Sequence, residues 1–154
     1  YCLGGHNHIA YCCDFTIAAD TAMFGQAGPR GSSPADGFSV PYLTKVVGAN
    51  KAREMWMLCR KYSAEQAERM GLVNEVVPRS ELMSAAERWA ADILECAPLA
   101  VRAHKQMALT GLDLSLDEAM GRSYSEFDRA LASDDFVHGP RAFAEKRSPV
   151  WKGR

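Results

Sequence analysis

Gly4 and Gly5 stand side by side ahead of the helix-compatible run HNHIAYCC at 6–13, and this pairing constrains the fold more than any other feature of the chain. The first turn of a helix leaves its backbone N–H groups unpaired and directed outward, carrying a partial positive charge. Glycine removes the Cβ that would keep another group away from those donors. A glycine turn into a helix therefore makes a place where an anionic oxygen can sit. Asp14 ends the run, after which FTIAA at 15–19 and Ala22–Phe24 have the pattern of short strands. Residues 25–37, GQAGPRGSSPADG, hold four glycines and two prolines, a density that predicts a loop where chemistry is free to vary.

Beyond the loop, FSVPYLTKVV and ANKAREMWMLCRKY predict two helices separated by Gly48, with Ala52, Met55, Trp56 and Cys59 recurring at helical spacing. Trp56 and Trp89 read as core residues, and Lys51 and Arg53 as a solvated face. Ser63 followed by Gln66 has the form of a capping box opening SAEQAERM, and Gly71 supplies the stop. LVNEVVP reads as a strand closed by Pro78. Helices predominate from there: an amphipathic stretch over Ser80–Cys96, LAVRAHKQMAL opened by Pro98, one segment from Asp113 or Ser115 to Leu131, and a last one from Ser133. The order predicts a mixed α/β portion over 1–78 and a helical portion over 79–154.

At 154 residues and 47% hydrophobic, the chain can bury a substantial core. Lys and Arg total 18 against 19 acids, which leaves no basic surface for nucleic acid. No apolar stretch approaches the ~20 residues that span a bilayer, so no membrane partner is expected. Five cysteines form no CxxC pair, which predicts reduced, mostly buried thiols in a cytoplasmic setting. His6 and His8, two apart on a helix, point to different sides and imply no shared metal.

The run YCLGGHNHIAYCCD, with AAD at 18–20 and FGQAGP at 24–29, resembles the crotonase (enoyl-CoA hydratase/isomerase) superfamily. Within it the chain is most similar to dihydroxynaphthoyl-CoA synthase and ketocyclohexanecarboxyl-CoA hydrolases, through FGQxGP and through KAREMWMLCRKYSAEQAERMGLVNEVVP at 51–78. The resemblance implies an α/β fold, part of a crotonase-like ββα superhelix, followed by a helical carboxy-terminal oligomerisation region that packs a homotrimer or a dimer of trimers. It also implies an acyl-CoA thioester substrate whose enolate is stabilised in an oxyanion hole. CoA belongs to that substrate, so no separate cofactor is implied. The chain opens inside the motif without an initiator methionine, and is read as the carboxy-terminal part of such a protein.

By this resemblance Gly5 donates its N–H to the thioester oxygen, Gly4 beside it and Gly28 in the loop line the substrate, and His6 stands where many relatives have a third glycine. The two glutamates of typical hydratases map onto His8 and Gly28, which removes the ordinary two-carboxylate route for adding water. The synthase's loop aspartate maps onto Ala35, and its carboxy-terminal tyrosine onto Leu131. Asp36 falls where aryl-CoA dehalogenases of the superfamily carry a nucleophile. Phe143 and Lys146, within GPRAFAEKRSPVW, match a pair that reaches the CoA nucleotide of a neighbouring subunit, and three-residue spacing predicts that they share a helix face. Three readings stay open: hydration or C–C lyase chemistry through an enolate with His8 or Asp36 as acid/base, a hydrolase or dehalogenase with Asp36 as nucleophile, and a degenerate protein that keeps only CoA or subunit contacts.

Overall fold

In the computed structural model, which describes residues 1–35 and 37–154, the chain leaves β1 (Cys2–Leu3) through Gly4 directly into α1 (Gly5–Cys12). Then come β2 (Ile17–Ala19), β3 (Met23–Gly25), a 3₁₀ turn over Gly28–Gly31, α2 (Ser39–Val47) and α3 (Ala49–Leu58). β4 (Lys61–Ser63), α4 (Ala64–Arg69) and β5 (Glu75–Val77) follow, and a further 3₁₀ turn leads to α5 (Leu82–Leu94). β3 is the centre of a three-stranded sheet, parallel to β1 and antiparallel to β4, while β2 pairs in parallel with β5. Tyr11, Phe24, Leu43, Met55, Tyr62, Leu72 and Val73 are buried together, so helices α1, α2 and α3 and both sheets share one core.

The helix expected through Arg60-Lys61-Tyr62 stops earlier. The Cys59 N–H closes on the Met55 carbonyl at 3.2 Å, Cys59 turns left-handed with φ 48°, and Lys61–Ser63 becomes β4. Extended backbone is what pairs Tyr62 with Phe24 and buries both rings, and that pairing outweighs the local helical period. Ser63 then opens α4 with both halves of the capping box: its hydroxyl accepts the Gln66 N–H, and the Gln66 side chain accepts the Ser63 N–H. The cysteines depart from expectation. Only Cys59 is buried; Cys2 is half-buried, Cys12, Cys13 and Cys96 are exposed, and all five are free thiols.

The chain divides into two compact units, Tyr1–Glu87 and Arg88–Arg154, with the division inside α5. The second unit contains α6 (Pro98–Gly111), α7 (Leu116–Gly121), α8 (Ser125–Leu131) and α9 (Asp134–Ala144). One continuous helix was expected from Asp113 or Ser115 to Leu131. Ser115 does cap α7 in a capping box with Glu118, but the chain is extended at Arg122 and Tyr124 before α8. The cause lies on α6. The Gln106 side chain accepts the Glu126 N–H at 3.0 Å, and Arg102 pairs with the Glu126 carboxylate at 3.1 Å, so the start of α8 is fixed from outside the segment.

Ser133 caps α9, and the next turn carries Asp135, only 4% exposed. Its carboxylate accepts the Lys152 N–H at 2.9 Å and the Gly153 N–H at 2.8 Å, which holds the last residues of the chain against α9. Trp151 donates its indole N–H to the Glu95 carbonyl at 2.8 Å, and the His138 ring accepts the Val150 N–H at 3.2 Å. Burial pushes the Asp135 carboxyl up, but the two backbone donors, with His138 and Lys152, hold it below the ordinary 3.8. A depressed carboxyl stabilises the fold above its unfolded pKa, and that contribution is lost as pH falls through the folded value. Asp135→Asn is therefore expected to cost about 1.5–3 kcal/mol at pH 7, the range for hydrogen bonds to a charged group. Urea unfolding at neutral pH and well below pH 3.8 checks this: the gap between variant and parent should shrink in acid, and an equal gap at both would refute it.

Candidate active site

The Gly4 backbone lies at φ 59° and ψ −124°, a conformation open to glycine alone without strain. Its N–H donates to the Gly25 carbonyl at 3.0 Å and its carbonyl accepts the His8 N–H at 3.1 Å, so Gly4 builds the turn and has no amide left for a ligand. Gly5 differs. It is the first residue of α1 and exposed, and its N–H has no partner among the described residues. No atom lies within 4 Å of where a Cβ would stand, so packing does not require glycine there. What remains is an unpaired donor at the positive end of an eight-residue helix, beside open space.

His8 follows three residues later, on the same helical face. Its Nε2 is 2.9 Å from Oε1 of Gln26, the residue after β3, which is itself only 3% exposed. The imidazole lies against Trp56 of α3, with ring centroids 5.3 Å apart, and against Tyr11, 5.8 Å away. The end of β3 thus holds both the turn into α1 and its histidine: Gly25 takes the Gly4 amide and Gln26 takes the His8 ring. Asn7 turns inward between them, fully buried, with neither side-chain polar atom hydrogen-bonded among the described residues.

A family model described as enoyl-CoA hydratase/isomerase matches residues 1–154. The chain belongs to the enoyl-CoA hydratase/isomerase family. It is 35% identical to a protein of Novosphingobium aromaticivorans DSM 12444 named as a short chain enoyl-CoA hydratase, covering 99% of this chain and 60% of that one with a TM-score of 0.94. An enoyl-CoA hydratase of Mycobacterium marinum is 30% identical over 100% of this chain and 61% of its own, with a TM-score of 0.93. One from Bacillus anthracis is 31% identical over 99% of this chain and 59% of its own, with a TM-score of 0.90. The chain therefore spans about 60% of the length of these solved relatives. The mixed α/β fold with a helical second unit is the one shared with them.

Gly28, the position onto which the resemblance maps a hydratase glutamate, has no room for a side chain. A Cβ at Gly28 would lie 2.3 Å from the Ser33 carbonyl oxygen, because the Ser33 N–H folds back onto the Gly28 carbonyl at 3.0 Å. The loop is built around the absence of a side chain, so Gly28 acts by close backbone approach. Gly28→Glu is accordingly expected to displace the 28–33 turn and cost about 1–3 kcal/mol, as overpacking does. Thermal unfolding would register that loss, while an unchanged midpoint would show that the turn can open freely. Asp36 lies outside the described residues.

Phe143 and Lys146 do not share a helix face. α9 ends at Ala144, and Lys146 sits beyond it in the left-handed region at φ 53°, its N–H bonded to the Phe143 carbonyl at 3.1 Å. With Ala144, Arg147 and Ser148 they line an open cleft of about 650 Å³ in the second unit, and the Phe143 ring is 86% exposed. An unanticipated cluster occupies the first unit, where Tyr62 donates to Glu54 at 2.8 Å, Lys51 and Arg60 flank that carboxylate, and the group borders a cleft of about 340 Å³. The Tyr62 bond, then Lys51, hold the Glu54 carboxyl below its usual range, while burial and Glu54 push the Tyr62 phenol up to about 12. Among the described residues no three His, Cys, Asp or Glu side chains gather to hold a metal ion, and no helix is long and apolar enough to cross a membrane.

Proposed function

We propose that this chain provides part of an acyl-CoA site in which the Gly5 N–H holds the thioester carbonyl oxygen as negative charge develops on it, and His8 exchanges the proton at the α- or β-carbon. The observation that carries this reading is the unpaired Gly5 amide at the start of α1, with His8 three residues along the same face. A donor aimed at an oxygen that becomes charged stabilises the enolate more than the ground state, which is the condition for catalysis. The chemistry is hydration or C–C bond cleavage with an altered acid/base set, since an imidazole stands at one glutamate position and a glycine at the other.

A cyclic acyl group is the substrate class favoured by the similarity of residues 51–78 to the dihydroxynaphthoyl-CoA synthase and ketocyclohexanecarboxyl-CoA hydrolase group. Phe143 and Lys146 serve the CoA nucleotide of a neighbouring subunit in this reading, an exposed ring for the base and an ammonium for phosphate. A homotrimer in the cytoplasm completes the proposal, supported by the free thiols and by apolar side chains exposed on the second unit, among them Leu116, Met120 and Val137.

Infrared difference spectroscopy with a ¹³C-carbonyl acyl-CoA tests the central contact. Binding to the protein should shift the thioester stretch to lower frequency, as a donor polarises the C=O bond. Saturable binding without a shift would remove Gly5 from the proposed role, and no binding across linear and cyclic enoyl- and β-ketoacyl-CoA esters would remove the functional reading.

A further inference from the structure

His8 and Gln26 are eighteen residues apart, yet the Gln26 amide is almost wholly buried and one of its two polar atoms meets His8 at 2.9 Å. Among the described residues the other, Nε2, has no partner, so His8 is the one group that ties the Gln26 side chain down. A carbonyl oxygen can only accept, which requires the proton on His8 Nε2 and places the ring's lone pair on Nδ1. Trp56 and Tyr11 flank the imidazole and restrict its rotation. Resting on the acid/base role proposed for His8, we infer that Gln26 is a positioning residue that fixes His8 in its Nε2–H tautomer and makes Nδ1 the atom that takes the substrate proton.

In that step the C–H bond at the substrate α-carbon breaks, its proton passes to Nδ1, and its electron pair forms the C=C bond of the enolate as the carbonyl π pair moves onto the thioester oxygen. The resulting imidazolium keeps its Nε2–H on the Gln26 carbonyl, now as a charge-assisted and stronger bond. Among the described residues the groups recorded against His8 are Gln26 after β3, Trp56 on α3 and Tyr11 on α1. Tyr11 alone among them titrates, and it stays neutral: its hydroxyl donates to the Ser39 carbonyl, and burial pushes it up to about 12. Among the described residues, no other group recorded against the ring competes with Gln26 in setting its protonation.

The pairing can be read directly from ¹⁵N chemical shifts of the four histidines in the labelled protein. His8 should be Nε2–H in the parent and a mixture of tautomers in Gln26→Met, which keeps the volume and removes the acceptor. Gln26→Glu should restore the single tautomer and shift the His8 titration, and the acid limb of the kcat/KM profile, to higher pH. Gln26→Met should lower kcat/KM by at least about tenfold, and Gln26→Glu should recover part of it. An Nδ1–H tautomer in the parent, or no change in Gln26→Met, overturns the pairing. A tautomer change with unaltered kcat/KM in an active enzyme overturns the positioning role. No turnover by the parent, with the tautomer change intact, overturns instead the functional reading on which that role rests. If Gln26→Met does not fold, the Gln26→Glu titration decides: a His8 that titrates as in the parent refutes the pairing.

Discussion

His8→Ala is expected to lower kcat/KM on the acyl-CoA substrate by about 10²–10⁴-fold, the range for removing a positioned general acid or base. Imidazole is the group replaced, and it is held in place by Gln26 and Trp56 rather than left free in solvent. The variant also strips Gln26 of its bond and leaves a second buried amide atom unpaired, which costs about 1–3 kcal/mol of stability. Activity has to be compared with that loss. A base role predicts a rate deficit that persists when the protein is fully folded, and partial recovery on adding free imidazole, which can occupy the vacated space between Gln26 and Trp56. A deficit that vanishes once unfolding is suppressed would reduce His8 to a packing residue. Turnover unaffected by the substitution would shift the proton chemistry elsewhere, and Asp36 is the group the sequence offers next.

The features legible in the sequence are those whose cause is local. Gly4 and Gly5 announce a turn into α1 because their backbone demands are written in two adjacent residues. Ser63 with Gln66, Ser115 with Glu118, and Ser133 mark helix starts because a cap is satisfied within three residues. Features set by distant partners were not legible. β4 exists because Tyr62 pairs with Phe24, the break before α8 because Gln106 and Arg102 reach Glu126, and the held tail because Asp135 meets amides seventeen and eighteen residues away. At the site the same division holds. The exposed amide at Gly5 and the histidine at 8 could be read from order, but the Gln26 contact could not, since FGQ carries no sign of which ring it will face. Resemblance maps a glutamate position onto Gly28; only the Ser33 carbonyl, 2.3 Å from where a Cβ would stand, shows that the turn leaves no room for a side chain there. Phe143 and Lys146 illustrate the converse error, an i, i+3 argument applied across a helix end that the sequence does not mark.

Gly5→Pro isolates the donor on which the proposed chemistry turns. Proline is favoured at the first position of a helix, where its missing N–H has no intrahelical bond to lose and its fixed φ suits the turn. Gly5 is that first residue, its N–H is unpaired among the described residues, and the space where a Cβ would enter is open. Gly4, with ψ −124°, already lies outside the helical region that a following proline disfavours, and the His8 bond to the Gly4 carbonyl is untouched. Helix content and the unfolding midpoint should therefore stay close to the parent's, while kcat/KM falls by about 10²–10³-fold, the loss measured when one oxyanion donor is deleted. Gly5→Ala supplies the control because it adds a methyl group yet keeps the N–H. If the amide is what matters, the alanine variant retains more activity than the proline variant. Equal losses would mean that bulk at position 5 blocks the substrate, and full activity in Gly5→Pro would mean that the thioester oxygen is held somewhere else.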